Sequence, residues 1–584
     1  MRKFNELESE LLPKLSELIN YACSENVEIT IDAEEQDRLS ISLHIIEKLA
    51  QEKLIKDWPG FGIALQAYGK RSFDVINWLN NLINKRANMH LRLVKGAYWD
   101  YEIKHSQVLG YEDYPVFSKK SVTDIMYLAC AKEILKNKNI FPKFATHNAH
   151  TISSINYLGE GRDYEFQRLF GMGELLYKSA SATINLEKSP SVYAPIGDYK
   201  DLLPYLVRRL LENGANSSFI NRLLDPETDP KWLAENPYIR MQNEKKDIPL
   251  PKNIFSNRLN SSGMDITEKE NLDLLQKKLN SFNGKLVSAK SIYVDRNDDG
   301  YKEEQVYSIS TNSLIGSVAY DDPVEIKKHL NKNDSNKWSS SIVEDRSQTL
   351  NKIADDIEQN PYELIYFLIN EAGKTIQNSI DEIREAIDFL RYYSNQILEI
   401  SNDKELEGPT GEKNIISYSP KGRFLCISPW NFPVAILIGQ ISAALASGNK
   451  VIVKPSEHTS ILGYLVVQRF HDLGVPIEAL ELIIGDGSYG EFLSQVDPLN
   501  GVAFTGSLAT AKKIQRNLLK NQKQIIPLIA ETGGINAMIV DSSALLEQVT
   551  DDVIRSAFDS AGQRCSALRE FFVYRKKFMK NLLK

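Results

Sequence analysis

Between residues 27 and 194, short apolar runs alternate with helical stretches, and this alternation restricts the fold of the first half of the chain more than any other feature. The runs are 27–31, 62–66, 89–94, 143–146, 164–167 and 191–194. A strand that must pass through a helix before reaching the next strand pairs with it in parallel, so the repeat predicts β/α units around a parallel sheet. Such sheets collect their chemistry at the carboxyl ends of the strands. Polar or aromatic residues stand near those ends here: Asp32, Gln66, Arg92, His147, Gln167 and Tyr193. Any one of them has a plain reading as a satisfied polar group, but six in step predict a site. A closed (β/α)8 barrel needs eight strands, so the expectation is a partial barrel lacking roughly two units. Apolar residues at 4, 7, 11, 15, 18 and 19 predict an amphipathic helix ahead of the first strand.

The second half is organised around a different pattern. Cys565 stands in Gly-Gln-Arg-Cys-Ser, and Glu531 stands in Ala-Glu-Thr-Gly-Gly at the end of the apolar run 525–529. A cysteine alone is more often a small buried residue than a nucleophile. A reactive thiolate wants positive charge or oriented amides nearby, and Arg564 and the helix-forming run before it are candidates for both. Glycines 533 and 534 let backbone approach a ligand closely. Upstream, Ile-Ser-Pro-Trp-Asn-Phe-Pro (427–433) supplies Asn431, an amide donor suited to an oxyanion, and Val-Lys-Pro-Ser-Glu (453–457) follows a strand-like run at 450–453. These stretches, in this order, resemble the aldehyde dehydrogenase superfamily. That resemblance implies Cys565 as nucleophile, Glu531 as the base that activates water, and Asn431 as oxyanion donor. It also implies NAD contacts from Ser428, Trp430, Lys454, Glu457, Gly487, Thr505, Gly506 and Ser507. Glu457 would favour NAD, since an acid repels a 2′-phosphate.

Two nearby patterns mislead. Gly373-Lys374-Thr375 looks like the end of a phosphate loop, but the earlier glycine would fall at Leu368, so nucleoside triphosphatase chemistry is rejected. Gly485 to Gly490 fits GxGxxG after the run 480–484, yet no acid follows at the spacing an ordinary Rossmann ribose contact needs. His147 and His150 stand three apart without a third ligand in a fitting pattern, so no metal site is expected.

Composition narrows the class. The chain has 584 residues, 42% of them hydrophobic, which allows two or more domains with real cores. A formal charge of −7 without a long basic cluster argues against a nucleic-acid surface. Cysteines 23, 130, 426 and 565 lie far apart with no CxxC spacing, which indicates neither a disulfide framework nor a zinc knuckle and points to a reducing compartment. Acidic residues interrupt the N-terminus where an export signal would be apolar. The most apolar segment, 433–446, is broken by Gly439, Gln440 and Ser442 and is too short to cross a bilayer, so a soluble protein is expected.

With both halves read, the resemblance extends to the whole chain. The stretch from Thr30-Ile-Asp-Ala-Glu-Glu to Leu211-Glu-Asn-Gly looks like the proline dehydrogenase barrel of the proline utilization A family, and the second half looks like that family's glutamate semialdehyde dehydrogenase module. Carried over by motif, FAD would be met by Gln66, Arg92, Lys95, Gly96, Trp99, His147, Gln167 and Glu212. Proline would be surrounded by Asp32, Tyr98, Leu169 and Tyr193, with Arg208 and Arg209 gripping its carboxylate. The bland alternative for Arg208 and Glu212 is a helix-surface pair at i, i+4.

The expected architecture is therefore α/β. Residues 1–224 would form the later part of a (β/α)8 barrel and 225–285 a polar surface connector. Residues 286–533 would form a Rossmann-like NAD-binding domain of aldehyde dehydrogenase type, and 534–584 the start of its catalytic domain. Within 286–533, strands are expected at 291–294, 305–310 and 315–319, and Ile376, Ile380, Ile383, Ile387 and Leu390 form a helical stripe suited to core packing. The family's early barrel strand and the segments after its catalytic cysteine find no counterpart here, so the chain reads as a piece of a longer protein. The implied activity is oxidation of proline to glutamate in two steps. The implied partners are proline, glutamate semialdehyde and a quinone or membrane electron acceptor, with no nucleic acid in this segment. A homo-oligomer is implied for the full-length protein, cytoplasmic or peripheral to the inner membrane. The alternative from another class is an inactive remnant that serves as a binding or scaffold protein.

Overall fold

The computed structural model describes residues 4–574 except 87, 185, 187–188, 199–201, 203–234, 245–247, 297–301 and 333–336. The chain divides into two compact units, Met1–Pro251 with Asp265–Leu272, and Lys252–Met264 with Asp273–Lys584.

The first unit is built on six strands: β1 (Ile29–Ile31), β2 (Phe61–Gln66), β3 (Met89–Val94), β4 (Ile140–Ala145), β5 (Glu165–Leu169) and β6 (Ser191–Tyr193). They pair in chain order, every pair parallel, into one curled sheet. Alternation along β2 and β3 sends Phe61, Ile63, Leu65, Leu91 and Leu93 to one face, where they are buried. Helices Leu39–Ala50, Ser72–Ile83 and Lys120–Lys136 meet that face with Leu49, Ile76, Leu79, Tyr127 and Ile134 in a single apolar cluster. Each such aliphatic side chain contributes about 1.5–3 kcal/mol, so this packing, more than helix propensity, fixes the helices on the sheet. The other face is polar. Gly62 leaves room for the His90 ring, which an added Cβ would meet at 2.0 Å, and His90 Nε2 lies 2.7 Å from Thr30 Oγ1.

The second unit carries β7 (Val287–Lys290), β8 (Lys302–Tyr307), β9 (Leu314–Tyr320), β10 (Lys404–Leu406), β11 (Asn414–Ile416), β12 (Arg423–Ile427), β13 (Lys450–Lys454), β14 (Leu480–Leu482), β15 (Gly501–Gly506), β16 (Leu528–Thr532), β17 (Asn536–Val540) and β18 (Leu568–Val573). Its main sheet is parallel in the order β14-β13-β12-β15-β16. The order turns back on itself at β12, a topological switch point where open α/β sheets bind ligands beyond the strand ends. A three-stranded sheet (β7-β9-β8), a hairpin-like pair (β10-β11) and a parallel pair (β17-β18) complete the unit. The stripe from Ile376 to Leu390 lies on helix Ile376–Ile400, and those residues are buried apart from Ile376.

Several element boundaries differ from expectation, among them the strand expected at 305–310, which lies at Lys302–Tyr307. The strand expected at 291–294 lies at Val287–Lys290, because beyond it Ile292 leaves for an isolated antiparallel bridge with Leu482, and Ser291 Oγ accepts from Ile484 N at 3.0 Å. The apolar run 525–529 enters a strand only at its end. Ile525 is 94% exposed and regular pairing begins only at Leu528, so Glu531 lies inside β16 opposite Thr505. Within 225–285 the described residues include buried Asn260, Ser261, Ile266 and Leu275. Glu268 takes part in the first unit, accepting from Ser40 Oγ (2.9 Å) and Arg71 (2.6 Å). Arg258 and Ser261 take part in the second through Asp388, both at 2.9 Å. Among the described residues, no helix is long and apolar enough to cross a membrane.

Candidate functional site

The first candidate site lies along the carboxyl edge of the six-stranded sheet. Asp32 follows β1, Gln66 ends β2, Lys95 to Trp99 follow β3, His147 follows β4, Leu169 ends β5 and Tyr193 ends β6, while Arg92 and Gln167 lie two residues inside β3 and β5. Arg92 joins distant strands, since its guanidinium pairs with Asp32 and lies 5.5 Å from the centre of the Tyr193 ring. Gln66 ties two strand ends together, donating to the Glu34 carbonyl at 2.7 Å and accepting from Ala97 N at 3.1 Å. Tyr98 donates to Glu34 Oε2 at 2.5 Å. Lys95 pairs with Asp124, which Arg240 also approaches at 3.6 Å.

Gly96 has φ +142°, and a Cβ there would stand 2.4 Å from the Tyr68 ring, so glycine is required for the turn beside β3. Trp99 donates from its indole to the Phe117 carbonyl at 2.7 Å. His147 Nε2 accepts from Leu169 N at 3.1 Å, and burial, with help from Arg168, keeps the imidazole neutral below its ordinary range. Gln167 turns to Glu165 Oε1 at 2.7 Å. Arg208, Arg209 and Glu212 lie outside the described residues. Sequence reading missed Glu34 and Asp124, which hold expected site residues; an acid in a loop or on a helix carries no signal of the partner it will meet.

The second candidate site gathers at the switch point and around the segment that carries Cys565. That cysteine is exposed. Asn431 donates to the Gln563 carbonyl at 2.9 Å, which joins the expected oxyanion donor to the nucleophile's segment. Asn536, which sequence reading passed over, donates to the carbonyls of Cys565 (2.6 Å) and Ala567 (2.9 Å). Its only sequence signal is an amide side chain just after Gly533-Gly534-Ile535. Arg564 does not supply charge to the thiol in the simple way expected, for it pairs with Asp559 at 3.2 Å and its Cζ lies 5.7 Å from the Phe432 ring centre. The helix before the cysteine, Leu546–Phe558, also departs from expectation. The chain leaves it by its carbonyl end, the negative end of the helix dipole, so its free amides lie at the other terminus.

The residues expected to meet a nucleotide lie at the ends of the parallel strands, on the loops that follow or at the starts of the next helices. Lys454 ends β13, nearly fully buried, with Glu457 Oε2 at 3.5 Å; burial holds its ammonium below the usual range and Glu457 pulls the other way. Ser507 caps helix Leu508–Asn521 by accepting from Thr510 N. Asp486 caps the short helix Gly487–Leu493, where a Cβ on Gly487 would enter open space. Thr505 Oγ1 accepts from Gln440 Nε2 at 3.1 Å, and Gly506 closes β15. Trp430 is about half exposed. Two buried polar atoms here have no partner, Ser428 Oγ and Gln440 Oε1, and orphaned polar atoms of this kind call for an explanation such as a ligand.

Comparison with known proteins agrees with both halves. Residues 3–222 match the family described as proline dehydrogenase, and residues 294–584 match the aldehyde dehydrogenase family. The bifunctional protein PutA of Salmonella typhimurium is 41% identical over 593 residues, which cover 97% of this chain and 44% of the relative. A crystal structure of a Bradyrhizobium japonicum proline utilization A mutant is 39% identical with a TM-score of 0.88, covering 100% of this chain and 57% of that one. The 1-pyrroline-5-carboxylate dehydrogenase of Geobacillus thermodenitrificans is 36% identical over 234 residues, 39% of this chain and 45% of the relative. The chain thus spans under half the length of these curated relatives. With a proline dehydrogenase module followed by an aldehyde dehydrogenase module, it belongs to the proline utilization A family.

Proposed function

We propose that this chain serves the oxidation of L-proline to L-glutamate, as an FAD-dependent proline dehydrogenase in the first unit and an NAD-dependent dehydrogenase of glutamate γ-semialdehyde in the second. The observation that carries this reading is the bond from Asn431 to the Cys565 segment, which joins a donor and a nucleophile far apart in sequence. When bound, FAD and NAD each accept a hydride, the first from proline and the second from the aldehyde-derived carbon.

The chain's own residues do the rest. Arg208 and Arg209 hold the carboxylate of proline through their planar forks, and Asp32, Tyr98, Leu169 and Tyr193 surround its ring. Gln66, Arg92, Lys95, Gly96, Trp99, His147, Gln167 and Glu212 would hold FAD, Arg92 serving its flavin part. Ser428, Trp430, Lys454, Glu457, Gly487, Thr505, Gly506 and Ser507 hold NAD; the orphaned Ser428 hydroxyl supports that fit. Cys565 Sγ bonds to the aldehyde carbon, and the Asn431 amide steadies the oxygen that becomes negative. After the hydride has left, Glu531 takes a proton from water, the hydroxide attacks the thioester, and glutamate departs as the thiol is restored. The electron acceptor would be a quinone or membrane acceptor, the protein being cytoplasmic or peripheral to the inner membrane and, at full length, a homo-oligomer.

The test is direct. Proline should bleach the flavin of the full-length protein, and glutamate semialdehyde with NAD should give NADH fluorescence. A protein that binds both cofactors and gives neither signal would be the inactive remnant.

A further inference from the structure

The turn 371–375, whose Gly-Lys-Thr ending lacks the glycine of a phosphate loop, lies where two helices of the second unit begin without caps of their own. Helix Ser460–Asp472 starts after Thr459, which makes no side-chain capping bond. Its first amides are met by Glu371 instead, which accepts from Ile461 N at 2.8 Å and Leu462 N at 2.9 Å. Helix Ala435–Ala446 starts after Val434, which has no side chain able to cap. There Glu382 accepts from Val434 N at 2.8 Å and Ala435 N at 3.3 Å, and its other oxygen pairs with Lys374 at 2.6 Å. Both carboxylates are buried, and free helix amides are among the groups that most need such an acceptor.

Each capped helix is joined to a segment of the candidate site. The first turn of Ser460–Asp472 packs on the Lys454–Glu457 segment, since a Cβ on Gly463 would stand 2.6 Å from the Pro455 ring. Helix Ala435–Ala446 directly follows Asn431, Phe432 and Pro433, and the Lys374 ammonium lies 4.0 Å from the centre of the Phe432 ring. Thr375 begins the helix that bears Glu382, accepting from Asn378 N, and Gly373 (φ +69°) supplies the left-handed turn between the two arms.

We propose that the 371–382 segment is a positioning device with two independent arms: Glu371 sets the turn that carries Lys454 and Glu457, and Lys374 with Glu382 sets the loop that carries Asn431. The proposal rests on the reading that this unit binds NAD and uses Cys565. Neither arm touches the reacting atoms; both are positioning residues. Because the arms act on different helices, their effects separate. A general loss of fold would not separate them.

The experiment compares Glu371→Ala and Glu382→Ala in the full protein by two readouts that need no turnover: the dissociation constant of NAD and the rate of iodoacetamide alkylation at Cys565, followed by peptide mass spectrometry. Glu371→Ala should weaken NAD binding by about tenfold and leave the alkylation rate as it is. Glu382→Ala should speed alkylation severalfold, because Asn431 and Phe432 no longer hold the cysteine segment, and leave the NAD constant as it is. Glu371→Gln and Glu382→Gln keep one acceptor oxygen and should each recover part of the effect; they also stand in for an alanine variant that fails to fold. Variants that move both readouts together, or neither, overturn the proposal. If the unaltered protein binds no NAD, the functional reading fails by itself. Hydrogen exchange then judges the device: Glu371→Ala should speed only the amides of 461–462 and Glu382→Ala only those of 434–435, and crossed acceleration overturns it.

Discussion

Replacing Cys565 by alanine removes one sulfur while leaving the bonds that hold its segment, because Asn536 grips that segment through the carbonyls of Cys565 and Ala567. Cys565→Ala in the full-length protein should therefore abolish NADH formation from glutamate semialdehyde and leave proline-dependent flavin reduction intact. Loss of both activities together would give the thiol a folding role. A second residue speaks through pH. Burial, opposed by the Gln36 amide and reinforced by Asp37 and Glu35, pushes the Glu102 carboxyl up to about 7 from an ordinary 4.5. The folded chain thus keeps a proton that the unfolded chain releases, and stability falls as pH rises from about 4.5 to about 7, by an amount on the order of 3 kcal/mol. Glu102→Gln should flatten that slope in thermal denaturation of the first unit, and an unchanged slope would show that the folded protein holds no proton there. That Asn431 meets the Cys565 segment could be anticipated from the motifs around each of them. The parts played by Glu102 and Asn536 could not, since what matters is the burial and the carbonyls that they meet.

Elements were legible where a period repeats. All six strands of the first sheet fall where the apolar runs lie, and their parallel pairing follows from the helices between them. What could not be read was each strand's exact end, which depends on single bonds such as that from Ile484 N to Ser291 Oγ. Nor could the polar interior of the second unit be read. Lys450 on β13 and His329 both meet Glu481 on β14, at 3.1 and 2.8 Å, with all three buried. A Lys in a strand reads as an exposed residue until its partner is known. Removing one member of a buried ion pair such as Lys450 and Glu481 leaves its partner short of a counter-charge, at a cost of about 3–5 kcal/mol. Glu481→Leu should lower the urea midpoint of the second unit accordingly, with the slope of the transition unchanged. A midpoint equal to that of the parent would mean that water reaches these groups.

At the scale of the whole molecule, the order of the two modules was legible because each set of chemical residues occupies its own stretch of chain. The division of the connector was not, because it turns on long-range bonds from Glu268 to Arg71 and from Arg258 to Asp388. The sheet of the first unit ends at β1 on one side and β6 on the other, and among the described residues neither strand has an outer neighbour. Open edges leave backbone donors and acceptors unpaired, which weakens a curled sheet of this kind. In the second unit β17 and β18 form a sheet of two, and Ile535, Ile539 and Phe572 beside or within it stand exposed, which leaves the Cys565 segment on a thin support. The polypeptide of residues 1–584 expressed by itself should therefore fail to convert proline to glutamate, even where NAD still docks beside Lys454 and Ser507. The assay is NADH formation from proline with an artificial electron acceptor for the flavin. Turnover on the order of 1 per second or more would show that the strands seen among the described residues, with that two-stranded support, are enough.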